Sequence, residues 1–289
     1  MMLADIIQSG QDPTQAHPQE GKLQLFYNYG GAIGCVVGRM IGERAQGHTI
    51  QGGEHREMFF ADMEPLLTRV ASLNELSFCD ESDEALENFE SFGGILAGRR
   101  DKIQVSELAL SGAIATEAVM EILPHVDPSR LENLSIKTDP NSQALVLNQV
   151  MGTDQWMQLS SVHLQNCRIP ATWDGFGHLQ TIGLDRLQMS AVQFTGLKNL
   201  CLNHENVENV TCTRIILNIP IANHQLFNEE NGHSILMEDG SRLFCFKLDQ
   251  PGPPDFIVGI SFAANDVITV RKFRREQVPE NAFVVARVD

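Results

Sequence analysis

VSELAL at residues 105–110, LENLSI at 131–136, LSSVHL at 159–164, LQTIGL at 179–184 and LKNLCL at 197–202 share one spacing within the stretch 101–202. The spacing is Leu-x-x-Leu-x-Leu, with other apolar residues standing in for leucine. An earlier copy, LNELSF, lies at 73–78. The last three positions alternate, so the second and third apolar side chains share one strand face. Such a strand needs neighbours on its backbone edges and cover on its apolar face. Leucine-rich repeats meet both needs with a strand and a helix per unit, at a period of about 20–29 residues.

The copies begin at 73, 105, 131, 159, 179 and 197, which are 32, 26, 28, 20 and 18 residues apart. The longer units have room for a helix. The last two do not, and loops or a 3₁₀ turn are expected there. The expected fold class is α/β: a leucine-rich-repeat-like curved solenoid with parallel strands, helices in the early repeats and a β-rich C-terminal cap. An ordinary open sheet of βα units shares this connectivity and is the competing architecture.

Outward from the repeats, residues 1–21 are polar with two prolines and read as a flexible leader. KLQLFYNYG and AIGCVVGRM, followed by the glycine-bearing stretch 42–54, predict a hairpin and a loop over 22–55. The β/α repeats then occupy 56–218. Met58, Phe59, Met63, Leu66, Leu67 and Val70 recur at helical spacing over 56–71, with Pro65 inside; the helix either starts near Met63 or kinks at Pro65. Leu86, Phe89, Phe92 and Leu96 mark a second helix over 83–97, and further helices are expected over 114–123 and 141–150. Thr153 is a plausible cap for another turn of helix holding Trp156 inward. Trp173 and Phe176 are expected to cover the sheet between LSSVHL and LQTIGL. SRLFCFKL, DFIVGISFA and DVITVRKF alternate and make 219–273 a β cap, leaving 274–289 as a tail or last strand.

The net charge is −16. That argues against nucleic acid as a partner, because such proteins carry a basic stripe. No run of apolar residues is long enough to span a membrane. The six cysteines form no C-x-x-C and no zinc spacing, so buried free thiols in a cytoplasmic or nuclear protein are expected. The nine histidines are scattered. Glu54, His55 and Glu57 are close in sequence without forming H-E-x-x-H. Neither His125 nor His163 has a neighbour in sequence that would tune it as a base. No G-x-S-x-G, phosphate-binding loop or dinucleotide fingerprint occurs. No cofactor, metal or catalytic residue is expected, although a site assembled from distant loops is the alternative.

Three blocks carry a family resemblance: FESFGGILAGRRDKIQVSELALSG, VMEILPHVDPSRLENLSIKT and DQWMQLSSVHL. Together they resemble the FTH domain, also called domain of unknown function 38, expanded in Caenorhabditis nematodes. Its pattern ILP-x-x-x-P-x-x-L-x-x-I-x-I is matched by Ile122, Leu123, Pro124, Pro128, Leu131, Leu134 and Ile136. Its T-D-Q-W is matched by Thr153, Asp154, Gln155 and Trp156, with Met157 where the pattern has lysine. The resemblance covers roughly 22–273. It implies a protein-interaction role, because such domains commonly follow an F-box that recruits the adaptor of a cullin ubiquitin ligase. The residues ahead of Leu23 are too few for an F-box, so the cullin-ligase adaptor is not an expected partner. A diverged paralogue that binds nothing is a further alternative.

In a parallel stack the residues between the apolar positions project from the opposite sheet face. Candidate partner-binding residues are therefore Glu107, Asn133, Ser135, Ser161, His163, Thr181 and Asn199, on a concave face of mostly small or polar side chains. A merely solvated face, or a contact surface on the loops or C-terminal strands, satisfies the same pattern.

Overall fold

The chain folds into parallel and antiparallel strands with helices between them. The computed structural model describes residues 2–8, 21–29, 35–41, 44–50, 55–82, 84–139, 145–170, 172–186, 188–204, 206–213, 216–217, 235–236, 242–247, 256–262, 268–274, 276 and 284–285. The chain divides into two compact units, Met1–Leu159 and Ser160–Asp289.

The first unit opens with β1 (Met2–Gln8), β2 (Gly21–Tyr29), β3 (Cys35–Ile41) and β4 (Arg44–Ile50), an antiparallel meander. Helix α1 (His55–Arg69) leads into β5 (Ser72–Asp80), which pairs antiparallel with β1. Then follow α2 (Ala85–Ala97), β6 (Gln104–Gly112), α3 (Thr116–Ile122) and β7 (Asn133–Thr138). β5, β6 and β7 are parallel neighbours in register. A two-residue strand β8 (Leu145–Val146) and the short helices α4 (Asn148–Met151) and α5 (Asp154–Gln158) close the unit.

The core of this unit gathers around Phe78 of β5. Its ring stacks on Phe92 of α2 at 4.5 Å, meets Phe89 edge-on at 4.8 Å and lies 5.8 Å from Phe59 of α1. All four rings are fully buried, each contributing roughly 1.5–3 kcal/mol of burial. Helix α1 runs through Pro65, which sits on its exposed side, while Phe59, Met63 and Leu67 are buried. Helix α2 runs through Gly93 and Gly94. The first of these is buried, and it packs so close to Glu121 that a Cβ there would collide with the Glu121 carbonyl.

The second unit has β9 (Ser161–Gln165), β10 (Cys167–Arg168), a 3₁₀ turn (Asp174–Phe176), β11 (Thr181–Asp185), β12 (Gln188–Met189), α6 (Ala191–Asn203), β13 (Asn209–Thr213) and β14 (Ile216–Leu217). β9, β11 and β13 are parallel, as are β12 and β14. The C-terminal strands are β15 (Ile235–Leu236), β16 (Arg242–Lys247), β17 (Phe256–Phe262), β18 (Ile268–Arg274) and β19 (Val284–Val285). β15 to β18 pair antiparallel in order, and β18 continues antiparallel onto β13. Strand β19, expected as tail or strand, pairs parallel with β16. The fold is thus α/β with a mixed parallel and antiparallel sheet.

Four expectations are corrected. LKNLCL is not a strand but the second half of α6. Ser190 and Gln193 form a capping box, with Gln193 N–H donating to Ser190 Oγ at 3.2 Å and Ser190 N–H donating to Gln193 Oε1 at 3.0 Å. Leu197, Leu200 and Cys201 are buried at helical spacing. The strand of this unit is the further rung that VENVTCTRIILN over 207–218 offers as a continuation of the pattern: Val207, Val210 and Cys212 keep the same spacing. It begins 28 residues after Leu179, which leaves room for the helix. Second, Met2–Gln8 of the expected leader forms β1, because its alternating backbone finds an open edge on β5; residues 9–20 lie outside the described ones. Third, the loop expected over 42–54 contains β4, in register with β3 from Ile41 opposite Arg44 outward. Fourth, the helix expected over 141–150 is confined to Asn148–Met151, with Leu145–Val146 extended and Ala144 outside the described residues.

Candidate functional site

The two motif-bearing segments meet in the first unit. Thr153 caps α5, its Oγ1 accepting from Trp156 N–H at 3.2 Å. That cap turns Gln155 and Trp156 inward, and both are buried. Gln155 Nε2 donates to the carbonyl of Val126 at 2.7 Å and reaches that of Pro124 at 3.5 Å. The ILP segment runs into a 3₁₀ turn, Leu123–His125, and the next residue, Val126, bridges in parallel to Ile103, just ahead of β6. Its following turn is held by Asp127, which accepts from Ser129 N–H at 3.0 Å and Ser129 Oγ at 2.8 Å. These bonds hold the Asp127 carboxyl below its ordinary range. Ile122, Leu123, Leu131, Leu134, Ile136 and Trp156 are all buried. The buried motif residues therefore act as a structural lock.

The strand faces opposite the helices carry most of the candidate contact residues. In the first unit the register sets Glu75 beside Glu107 and Glu107 beside Asn133, and sets Ser77 beside Ala109 and Ala109 beside Ser135. Glu107 is exposed, whereas Asn133 and Ser135 are half-buried. In the second unit Ser161, Thr181, Asn209 and Arg271 form one row across four strands. His163, Gly183, Thr211 and Thr269 form the next. His163 and Thr181 are exposed. The His163 ring lies across Gly183: a Cβ there would stand 2.6 Å from His163 Nδ1. At the end of this face Asp185 is buried and accepts from Thr213 Oγ1 at 2.6 Å.

Asn199 does not belong to this face. It lies on α6, and Asn209 and Thr211 take the places in the rows that its strand was expected to fill. The signal for them was VENVTC, in which valine and cysteine stand where the other copies have mostly leucine. Trp173 and Phe176 pack edge-on at 5.0 Å, and Trp173 Nε1 donates to the Gln193 carbonyl of α6 at 2.7 Å, tying the 3₁₀ turn to that helix.

Three of the described cysteines are poor nucleophiles. Burial pushes the Cys167 thiol up to about 12 and also raises Cys79 and Cys212. The nucleophilic thiolate is therefore disfavoured at each. Among the described residues no three His, Cys, Asp or Glu side chains group as metal ligands, and no helix is long and apolar enough to cross a membrane.

Neither a curated protein nor a solved structure matches the chain. A family model does, that of the FTH domain, over residues 86–230. That span covers half of the 289 residues, from α2 of the first unit past β14 of the second, and includes both segments joined by Gln155. The chain belongs to the FTH-domain family.

Proposed function

We propose that this chain is a protein-interaction module, a binder rather than an enzyme, that contacts its partner through the polar faces of its parallel strands. The supporting observation is the division of labour along each strand. The alternate residues Leu108, Leu110, Leu134, Ile136, Val162, Leu164, Ile182 and Leu184 are buried. Their neighbours Glu107, Asn133, Ser135, Ser161, His163 and Thr181 are half-buried or exposed hydroxyl, amide, imidazole and carboxylate groups. Such a face offers directional hydrogen bonds to a protein surface without exposing a large apolar patch.

In the same reading the strand-and-connection units stack as a leucine-rich-repeat-like solenoid. The protein works in the cytoplasm or nucleus, and the role is related to substrate recognition in F-box ubiquitin-ligase systems. The test is affinity capture from lysate with quantitative mass spectrometry, using the full chain and its Asn133→Arg, His163→Arg and Thr181→Arg variants. Specific proteins retained by the parent chain and lost by at least one variant that keeps its circular dichroism spectrum are expected. Capture indifferent to all three would sink the strand-face reading. Recovery of a cullin adaptor would tie the module directly to a ligase.

A further inference from the structure

The most concentrated positive charge in the chain is the run RKFRR at 271–275, four basic residues in five within a sequence of net charge −16. It begins in the second half of β18. Strand alternation separates its members. Arg271 stands opposite Asn209 of β13 and so shares the polar face of Thr181 and Ser161. Arg274 belongs to the alternate set and lies 3.8 Å from Glu276. Arg271 is exposed and makes no hydrogen bond or ion pair among the described residues.

The row beside it, with His163, Gly183, Thr211 and Thr269, continues onto β17, where Thr269 faces Ser261. Neither row holds an acid. In the first unit the matching face carries Glu75 and Glu107. Two acids border the rows of the second unit: Asp185 is buried against Thr213, and Glu208 precedes β13.

We propose that this face binds a short acidic segment of a partner protein, with an aspartate or glutamate carboxylate on the Arg271 guanidinium. The proposal rests on the strand-face reading above and adds the chemistry of the partner. A guanidinium presents a planar fork of N–H donors that fits a carboxylate through two parallel hydrogen bonds. The hydroxyls of Ser161, Thr181, Thr211, Thr269 and Ser261 make no hydrogen bond among the described residues. Each can donate to a carboxylate or to a main-chain carbonyl. The Asn209 Oδ1, next to Arg271, is buried without a partner, which is uncommon in a folded chain. A main-chain N–H of the segment would satisfy it once the carboxamide turns outward. From β9 to β17 the face crosses five neighbouring strands, roughly 19 Å, the length of about six extended residues.

The rest of the chain repels an acid only at long range. Physiological salt screens that repulsion beyond about 8 Å, so the arginine and the acid-free rows decide. One fixed arginine does not supply the several phosphate contacts on which nucleic-acid affinity depends.

The experiment presents the full chain to capped acidic, neutral, basic and phosphoserine peptides and to a single-stranded RNA, read by fluorescence anisotropy. Aspartate and glutamate peptides are expected to lead. Arg271→Gln should weaken the best of them about tenfold, as for the loss of a charge-assisted hydrogen bond, and Arg271→Glu should move the preference to lysine peptides. Changing the peptide's acids to amides one at a time needs no change to the protein. The amide that weakens binding to the parent chain should cost nothing further in Arg271→Gln. Glu107→Lys, on the first unit's strand face, should leave affinity unchanged. Failure of every acidic peptide, tighter binding of the phosphoserine peptide or the RNA, or affinity indifferent to Arg271→Gln would overturn the proposal. Should the acidic peptides fail while His163→Arg or Thr181→Arg still abolishes partner capture, the acidic occupant falls and the strand-face module stands.

Discussion

Gln155 holds a fully internal position with a side chain that must donate. Its carboxamide bonds the Val126 carbonyl at 2.7 Å, and no apolar residue can take over that bond. Replacing it with alanine leaves the carbonyl without this donor and should cost about 1–3 kcal/mol. Gln155→Glu keeps the shape but turns the donor into an anion facing a carbonyl oxygen, and should be the less stable variant at neutral pH. Burial raises the pKa of such a carboxyl above its unfolded value, so its neutral, donating form returns as the pH falls. Urea unfolding of the two variants between neutral and mildly acid pH should show the glutamate deficit shrinking toward acid. A deficit that grows instead would mean that Gln155 is not acting as a donor. The Asp127 carboxyl has the opposite sign. Its pKa is depressed in the fold, so its contribution is present at neutral pH and is lost as the pH falls through the lowered folded value.

At the scale of elements, α6 shows how one spacing serves two structures. Leu197 and Leu200 are three residues apart, which suits a strand entered from a turn and also one face of a helix. The capping box at Ser190 and Gln193 decides for the helix, by satisfying backbone N–H groups that a first turn leaves open. Ser190→Ala should therefore destabilise the second unit by about 1 kcal/mol. Hydrogen exchange should show faster exchange confined to the first turns of α6, and Ser190→Asp should restore much of the protection. Uniform acceleration across the unit would instead point to a general packing defect. The same helix takes Asn199 from the strand face to the wall of a cleft beside Trp173.

For the whole molecule the dominant number is charge. With 37 acidic and 21 basic side chains, the folded chain repels itself at neutral pH, and added salt screens that repulsion. Thermal unfolding should shift upward on going from low to moderate sodium chloride, and solubility should pass through a minimum near the pI of about 4.9. A midpoint that falls with salt would show that local attractive pairs outweigh the net repulsion. The described ion pairs, such as Arg56 with Glu87 at 2.9 Å, are partly exposed and too weak to do so.

Much of the fold is legible in the chain itself. Leu-x-x-Leu-x-Leu marked β5, β6, β7, β9 and β11, because a buried strand face imposes its period on the side chains. The helical face of α1, that of α2 apart from Leu86, which is exposed, the Thr153 cap, the Trp173–Phe176 pair and the antiparallel β16–β17–β18 run followed from spacing and turn chemistry in the same way. The candidate face was legible at Glu107, Asn133, Ser135, Ser161, His163 and Thr181, since alternation alone sends those side chains away from the core. Only the tertiary structure decided the rest. Strand β1 required an edge offered by β5 some seventy residues later in sequence. VENVTC prevailed over LKNLCL because 28 residues leave room for a capped helix and 18 do not. Gln155 met Val126 through a fold that sequence spacing does not encode. Local periodicity records which face of an element is buried; which elements meet is set by long-range burial and hydrogen bonding, and no single stretch contains that information.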